Sequence, residues 1–232
     1  MASKFKLNTP EERAEQMRHN NPKQDQEVIN QAVKEIRIDA YGKVIKMIPE
    51  RFRKAELTDA GIPASDIQSA VMDIFQPAPN GKVGIIFSGP SGCGKTYAVS
   101  ATMKWIAEKD PERVAYFGFY PKVVQELRGE FSQDTWNDLG STWDILCNES
   151  GLARGVIVLD DVGSSKPSEF ELEKLFMVID HRSNEFLPII ITTNVPSEKF
   201  EDFFGQRISS RLSGYFHIIN FPPNDFREKI VK

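Results

Sequence analysis

The chain is poor in the residues that support extracellular, membrane-spanning or zinc-stabilised folds. Its two cysteines, Cys93 and Cys147, are too few for a disulfide framework and favour a reducing, cytosolic setting. Its three histidines and two cysteines show no paired spacing, so a structural zinc site is not expected. No apolar run approaches the roughly 18 residues of a membrane span, and the N-terminus has no apolar signal segment. We therefore expect a cytoplasmic protein without a membrane partner.

The chain also lacks a strong excess of either charge. Its 29 basic and 33 acidic residues give a net charge of −4, which taken alone argues against nucleic acid. Residues 1–80 carry 12 basic and 12 acidic side chains, so the acidic excess lies in the rest of the chain. A mild excess of this kind does not exclude DNA, because a few positive residues per subunit can line one face of an assembly.

Patterning divides the chain into an appendage and a main domain. Residues 1–25 are polar and are interpreted as a mobile tail. From Asp25, apolar residues recur at helical spacing, which predicts an amphipathic helix that is broken or bent near Gly42 and resumes up to Pro49. Its charged face is typical of a solvated helix, and the alternative is a surface that docks a partner or contacts phosphate. The predicted parts are the tail and helix (1–48), a linker (49–80) and the main domain (81–232).

The main domain alternates apolar runs with helical patterns. Five runs rich in β-branched or aromatic residues predict strands at 82–88, 113–119, 155–160, 187–193 and 215–221. Helical segments are predicted near 95–108, 121–130, 135–150, 168–184 and 197–213. This alternation predicts an α/β fold with a parallel five-stranded sheet covered by helices on both faces.

A glycine-rich motif follows the first predicted strand. The residues from Gly89 to Thr96, GPSGCGKT, match the pattern G-x-x-x-x-G-K-[ST] between a predicted strand and a predicted helix. In this motif backbone N–H groups surround a phosphate, while Lys95 reaches the β- and γ-phosphates and Thr96 offers a hydroxyl to Mg²⁺. The predicted nucleotide-binding residues are Gly89, Pro90, Ser91, Gly92, Cys93, Gly94, Lys95, Thr96 and Tyr97.

Two acidic residues end the third predicted strand, as the metal of a nucleotide site requires. Asp160 is the candidate Mg²⁺ partner, through water, and Asp161 is the candidate base for the attacking water. The alternative is that the two acids cap a helix in a simple turn.

An asparagine at the end of the fourth predicted strand and two arginines in a later helical segment complete the candidate site. Asn194 closes the fourth strand, where it could orient the attacking water, and the alternative is an ordinary turn before Pro196. Arg207 and Arg211 are spaced by one helical turn. They are either solvated or supply an arginine finger to a neighbouring subunit.

These motifs, GPSGCGKT, VIVLDDVGSSKPSEF, LPIIITTN and GQRISSRL in this order, resemble the AAA+ ATPases of the DnaC/DnaI helicase-loader and IstB group. The segment IPERFRKA (48–55) is similar to the basic-aromatic stretch that precedes the core in that group, so the resemblance covers about residues 48–232. It implies a P-loop AAA+ fold with a small N-terminal helical appendage and no large C-terminal lid domain. It also implies an ATPase with ATP and Mg²⁺ as cofactors.

The resemblance assigns the ATP chemistry to Lys95, Asp160, Asp161, Asn194, Arg207, Arg211 and Arg227, with Thr96 and Asp160 at the Mg²⁺. Asn194 is implied to be the first sensor. Arg211 is implied to reach a neighbouring subunit's γ-phosphate, with Arg207 beside it. Arg227, in a predicted final helix starting at Asn224, resembles the second sensor that contacts nucleotide in cis.

The family also implies a spiral or ring around single-stranded DNA. Aromatic side chains stack on bases and cations pair with phosphates, so the candidate DNA-binding residues are Phe117, Phe119, Tyr120, Lys122 and Arg128. The alternative is that the strand aromatics belong to the core.

Two departures from the family pattern affect this interpretation. Many AAA+ proteins have Glu where Asp161 stands, and the shorter side chain predicts slow, switch-like hydrolysis. The N-terminal region lacks the cysteines of loaders with a zinc module, which leaves the amphipathic helix as the candidate docking element.

Three functions follow from these observations. The first is a loader for a hexameric DnaB-type replicative helicase, encoded chromosomally or on a phage or other mobile element. The alternative is an IstB-like transposition helper that binds duplex DNA and a transposase. A small-molecule kinase is the third, and the motif GQRISSRL argues against it.

Overall fold

The computed structural model describes residues 22–76, 81–149, 151 and 154–226. The chain divides into two compact units, Met1–Gly42 and Lys43–Lys232. Most of the predicted tail, and Arg227, lie outside the described residues.

The first helix, α1 (Pro22–Met47), passes through Gly42 without interruption, so the predicted break there is wrong. A glycine inside a helix costs only about 1 kcal/mol relative to alanine, and the residues after it hold the helix, because Val44 and Ile48 are buried in the larger unit. Ile36 and Ile38, in the smaller unit, are more than half exposed.

The larger unit is built on five parallel strands, as predicted. The sheet has the order β2-β3-β4-β1-β5, and all four neighbouring pairs are parallel. The strands are β1 (Gly84–Ser88), β2 (Val114–Phe119), β3 (Val156–Val162), β4 (Ile189–Thr193) and β5 (Phe216–Asn220). Every residue of β1 and β4 is buried, which is expected for central strands with both faces covered.

Seven α-helices lie within the described part of the larger unit. They are α2 (Ala64–Phe75), α3 (Lys95–Lys109), α4 (Tyr120–Gln133), α5 (Thr142–Cys147), α6 (Glu169–Asn184), α7 (Phe200–Phe204) and α8 (Gln206–Tyr215). Helix α2 lies in the predicted linker and was not predicted, although its Ile67, Val71 and Ile74 are buried. It packs against β1, so this part of the predicted linker contributes to the core.

Two predicted helices differ from the observed ones because left-handed residues interrupt them. The helix predicted at 135–150 is only α5, since Asp134 (φ 58°) ends α4 and Gly140 (φ 80°) lies in the following turns. The helix predicted at 197–213 is divided into a 3-10 turn, α7 and α8, because Gly205 (φ 82°, ψ 161°) cannot continue a helix.

The chain after β5 contains no helix between Phe221 and Phe226, where the described residues end. The final helix predicted from Asn224 is therefore not present in its described part, and the described residues after the sheet contain no lid domain. None of the described helices is long and apolar enough to cross a membrane. The described residues also contain no group of three His, Cys, Asp or Glu placed to hold a metal ion.

A buried arginine joins the elements at the edge of the sheet where β3 and β4 begin. Arg182 is fully buried and donates to the carbonyl oxygens of Leu146 (2.9 Å), Gly155 (2.9 Å) and Pro188 (3.0 Å). Burial lowers its pKa to about 10. Arg182 therefore joins three segments through their carbonyl groups, and the Pro188 carbonyl also accepts from the N–H of Ile157 at 3.2 Å.

We expect Arg182→Met to lower the free energy of unfolding by about 3 kcal/mol or more, because buried carbonyls that lose their donor are costly. Urea unfolding followed by circular dichroism measures the change. Arg154→Met is the matched control, since Arg154 is exposed and surface changes stay within about 0.5 kcal/mol. Equal unfolding free energies for the two variants would contradict a structural role for Arg182.

Candidate functional site

The glycine-rich loop lies between β1 and α3, as predicted, and its backbone is one that only glycine adopts readily. Gly92 and Gly94 have φ values of 86° and 96°, in the left-handed region. A Cβ placed on Gly92 would lie 2.3 Å from Oδ1 of Asp225. The loop therefore combines positive φ with close packing, and it ends at the first turn of α3, where backbone N–H groups can bind an anion.

Lys95 is the most constrained side chain of the loop. Its Nζ donates to the carbonyl oxygens of Gly89 and Pro90, both at 2.8 Å, and to Oδ1 of Asn194 at 2.7 Å. Burial lowers the pKa of Lys95, while Cys93 and Asp161 act in the opposite direction. The contacts hold the ammonium group at the mouth of the loop, where it can bind the terminal phosphates of a nucleotide.

Asp160 and Thr96 meet at the carboxyl end of β3. The Thr96 hydroxyl lies 3.1 and 3.2 Å from the two carboxylate oxygens of Asp160, and the Thr192 hydroxyl donates to Asp160 Oδ1 at 2.7 Å. Burial raises the pKa of Asp160, and the hydrogen bonds from Thr192 and Thr96 oppose this rise. A hydroxyl and a carboxylate in this arrangement suit Mg²⁺, which prefers oxygen ligands.

Asp161 departs from the regular strand. Its φ is 67°, and the pairing of β3 with β4 shifts register between Leu159 and Val162. Its N–H donates to the Thr192 hydroxyl at 2.8 Å, and its Oδ1 accepts a hydrogen bond from Nδ2 of Asn194 at 3.0 Å. The bulge turns the two consecutive acids in different directions, so each can have its own partner.

These contacts decide between the alternatives left by the sequence. The two acids do not cap the next helix, because Ser168 and Glu171 form the capping box of α6. Asn194 is more than a turn residue, since its amide oxygen accepts from Lys95 and its amide nitrogen donates to Asp161.

The site opens into a cavity of about 880 Å³, and residues outside the predicted motifs contribute to its lining. The lining residues that the motifs had not assigned to nucleotide binding are Pro49, Arg51, Phe52, Asp59, Ala60, Thr192 and Phe226, with Phe117 and Phe119. The Arg51 guanidinium lies 4.3 Å from the centre of the Phe52 ring, and the Phe52 ring packs edge-on against Tyr97. An aromatic and cationic region beside a phosphate loop has room for a nucleoside.

One of the predicted DNA-binding residues is not accessible to DNA. Phe119 is half exposed, whereas Tyr120 is buried and its hydroxyl donates to the carbonyl of Glu171 at 3.3 Å. The Tyr120 ring therefore has no open face for a base. Lys122 pairs with Glu126 at 3.5 Å, and Arg128 donates to the Ser168 hydroxyl at 3.0 Å.

The two arginines of the fourth motif lie on α8 and do not line the cavity of their own chain. Both stack on the ring of Phe176, at 3.9 Å for Arg207 and 4.4 Å for Arg211. Arg211 also pairs with Asp180. They are therefore held by neighbours and are not merely solvated.

Comparison with solved structures identifies the fold. The chain is similar to the crystal structure of the DnaC helicase loader, with 26% identity and a TM-score of 0.62 over 75% of this chain and 100% of that one. It matches DnaI at 20% identity and a TM-score of 0.56 over 75% and 94% of the two chains. It also matches the replication initiator DnaA bound to AMPPCP and single-stranded DNA, at 16% identity and a TM-score of 0.58 over 79% and 54%.

These matches show the P-loop AAA+ fold that the motifs predict. Among proteins of curated function, none matches the chain in sequence. The family model of IstB-like ATP-binding proteins matches residues 74–229, which include the phosphate loop, both acidic residues, Asn194 and both arginines of α8. The chain belongs to the family of IstB-like ATP-binding proteins, within the DnaC/IstB type of AAA+ ATPase.

Proposed function

We propose that this protein is an ATP-dependent loader that binds a hexameric DnaB-type replicative helicase and places it on single-stranded DNA. Two observations together support the proposal. Lys95, Thr96, Asp160 and Asn194 are hydrogen-bonded to one another in pairs at the phosphate loop, and the fold match covers the whole of the DnaC helicase loader chain. The small N-terminal unit adds an element outside the ATPase domain that a partner can bind.

ATP hydrolysis assigns roles to five polar side chains that line the cavity. Lys95 binds the β- and γ-phosphates, and Thr96 with Asp160 holds Mg²⁺, which neutralises charge on the phosphates when bound. Asp161 and Asn194 are hydrogen-bonded to each other at 3.0 Å and both line the cavity, where they orient the attacking water. The carboxylate of Asp161 accepts a proton from that water as it attacks.

The remaining catalytic group comes from a second copy of the chain. Arg211 does not line the cavity that contains Lys95, so in an oligomer it serves the γ-phosphate of a neighbouring subunit, with Arg207 beside it. Hydrolysis is then coupled to assembly in a spiral or ring, because each complete site needs two chains. Arg227, outside the described residues, is proposed as the second sensor.

The helicase is proposed to dock on α1 of the smaller unit. Ile29, Ile36 and Ile38 expose 55%, 61% and 62% of their surface there, although buried isoleucine is the rule in globular proteins. Single-stranded DNA is proposed to contact Phe117, Phe119, Lys122 and Arg128, and buried Tyr120 is left out of this set.

The second candidate is a transposition helper that binds duplex DNA and recruits a transposase. The match of the IstB-like family model over 74–229 favours it. The two functions differ in partner and in DNA form. Duplex binding that weakens steeply with salt, without helicase binding, would support the helper and contradict the loader.

Lys95→Ala should weaken ATP binding by about 100-fold, because it removes a charged donor to the phosphates. Isothermal titration with ATP and Mg²⁺ measures the loss. Lys199→Ala, at an exposed position distant in sequence from the loop, is the control and should bind like the unmodified protein. Unchanged affinity in Lys95→Ala would remove the ATP site from the proposal.

Arg211→Ala should keep ATP affinity and lower the rate of ATP hydrolysis by about 10³-fold or more, as for other arginine fingers. The Lys95→Ala protein has an intact Arg211 but binds ATP only weakly. Mixing the two inactive proteins should therefore restore part of the phosphate release. Absence of any recovery across mixing ratios would contradict a shared site.

Removal of residues 1–42, the smaller unit, should abolish capture of the hexameric helicase while ATP binding remains. The cut leaves Val44 and Ile48 in place, since both are buried in the larger unit. The double variant Ile36→Ser and Ile38→Ser should weaken capture without shortening the chain. Affinity pull-down with the purified helicase of the host is the measurement, and capture by the shortened chain would show that docking lies elsewhere.

A further inference from the structure

The two arginines of α8 face a matched pair of residues on α6. Phe176 and Asp180 are one helical turn apart on α6, and Arg207 and Arg211 are one turn apart on α8. The two helices pack against each other. Because both spacings are one turn, Phe176 and Asp180 lie on one side of α6, and Arg207 and Arg211 lie on one side of α8.

Asp180 binds Arg211 by the side edge of its guanidinium group. Asp180 Oδ1 lies 2.6 Å from Nε and 2.5 Å from Nη2 of Arg211. Nη1 donates to the carbonyl oxygen of Arg207 at 3.3 Å. A guanidinium group has five N–H donors, and these contacts leave N–H donors on both terminal nitrogens among the described residues. The edge formed by the two terminal nitrogens, here called the outer edge, can bind a phosphate as a fork.

Phe176 supports the flat face of the same group. The Arg211 guanidinium carbon lies 4.4 Å from the centre of the Phe176 ring, and that of Arg207 lies 3.9 Å from it. An arginine side chain loses much conformational freedom when it is held in one position. A side chain already held on its edge and its face loses less of that freedom at the moment of reaction.

Stability alone does not account for this arrangement. The side chains of Arg211 and Asp180 are 30% and 32% exposed. Part of the attraction in a pair that still contacts solvent is screened, which reduces its contribution to folding. Such a pair can orient a charged donor toward an anion outside the chain, because the outer edge of the Arg211 guanidinium stays accessible.

We propose that Asp180 and Phe176 are positioning residues, which hold Arg211 so that its outer N–H edge meets the γ-phosphate of a nucleotide bound by a second copy of the chain. The inference rests on the proposed role of Arg211 in trans. Asp180 acts only through Arg211 and touches neither the phosphate nor the attacking water.

Asp180→Asn tests the inference, because it keeps one acceptor oxygen and removes the charge. The variant should lower kcat for ATP hydrolysis by about 10-fold to 100-fold, with KM for ATP changed less than about 2-fold. Asp180→Glu should recover part of kcat. Asp202→Asn, at an exposed position on α7, is the matched control and should keep kcat. Phe176→Leu should lower kcat in the same direction.

Two further measurements separate positioning from a structural role. Asp180→Asn combined with Arg211→Ala should be no slower than Arg211→Ala alone, because Asp180 has nothing left to hold. Mixing Asp180→Asn with Lys95→Ala should raise the rate per ATP-binding site, since the Lys95→Ala subunits carry an intact Asp180 and Arg211. A local defect in the ATP site of the Asp180→Asn chain would not respond to the partner.

The inference is overturned if Asp180→Asn keeps kcat, if it lowers kcat equally in the Arg211→Ala background, or if mixing gives no recovery. These outcomes leave the proposed trans finger intact when Arg211→Ala is itself inactive and is rescued by Lys95→Ala. If Arg211→Ala hydrolyses ATP at the full rate, the trans finger and the inference both fail.

Discussion

The hydroxyl group of Thr192 connects the parts of the candidate ATP site. It donates to the carboxylate of Asp160 and accepts the N–H of Asp161, so one atom on β4 sets the direction of two acids on β3. The remaining contacts extend from these acids, with Asp160 reaching Thr96 and Asp161 reaching Asn194, which holds Lys95. The network crosses three parallel strands, whose carboxyl ends meet at one edge because they run in the same direction.

The two edges of the sheet serve different purposes. At the carboxyl edge, charged groups are partly buried among other charged and polar side chains, and burial moves the pKa values of Lys95 and Asp160 in the directions that disfavour charge. At the opposite edge the buried cation Arg182 is bound by backbone carbonyls alone among its described hydrogen bonds. The candidate ATP site and the buried arginine thus lie at opposite ends of the strands.

The strands and the phosphate loop could be predicted because their signals are local. Apolar runs marked all five strands, and the loop motif located Lys95 and Thr96 between β1 and α3. The role of Thr192 could not be predicted, since it depends on the register and bulge between β3 and β4. The pairing of Asp180 with Arg211 depends on how two helices pack. Helix α2 was missed although its buried residues follow helical spacing, because it lies among turn residues in an assumed linker.

The lining of the cavity has a consequence for the ATPase domain as a whole. Pro49 and Phe52, near the start of the larger unit, and Phe226, at the end of the described residues, line the same space. The N–H of Phe226 donates to the carbonyl oxygen of Gly92 at 3.0 Å, so the end of the described residues is bonded to the phosphate loop. A nucleotide that contacts all three acts as a reversible cross-link. Because these contacts exist only in the folded domain, nucleotide binding shifts the folding equilibrium toward the native state.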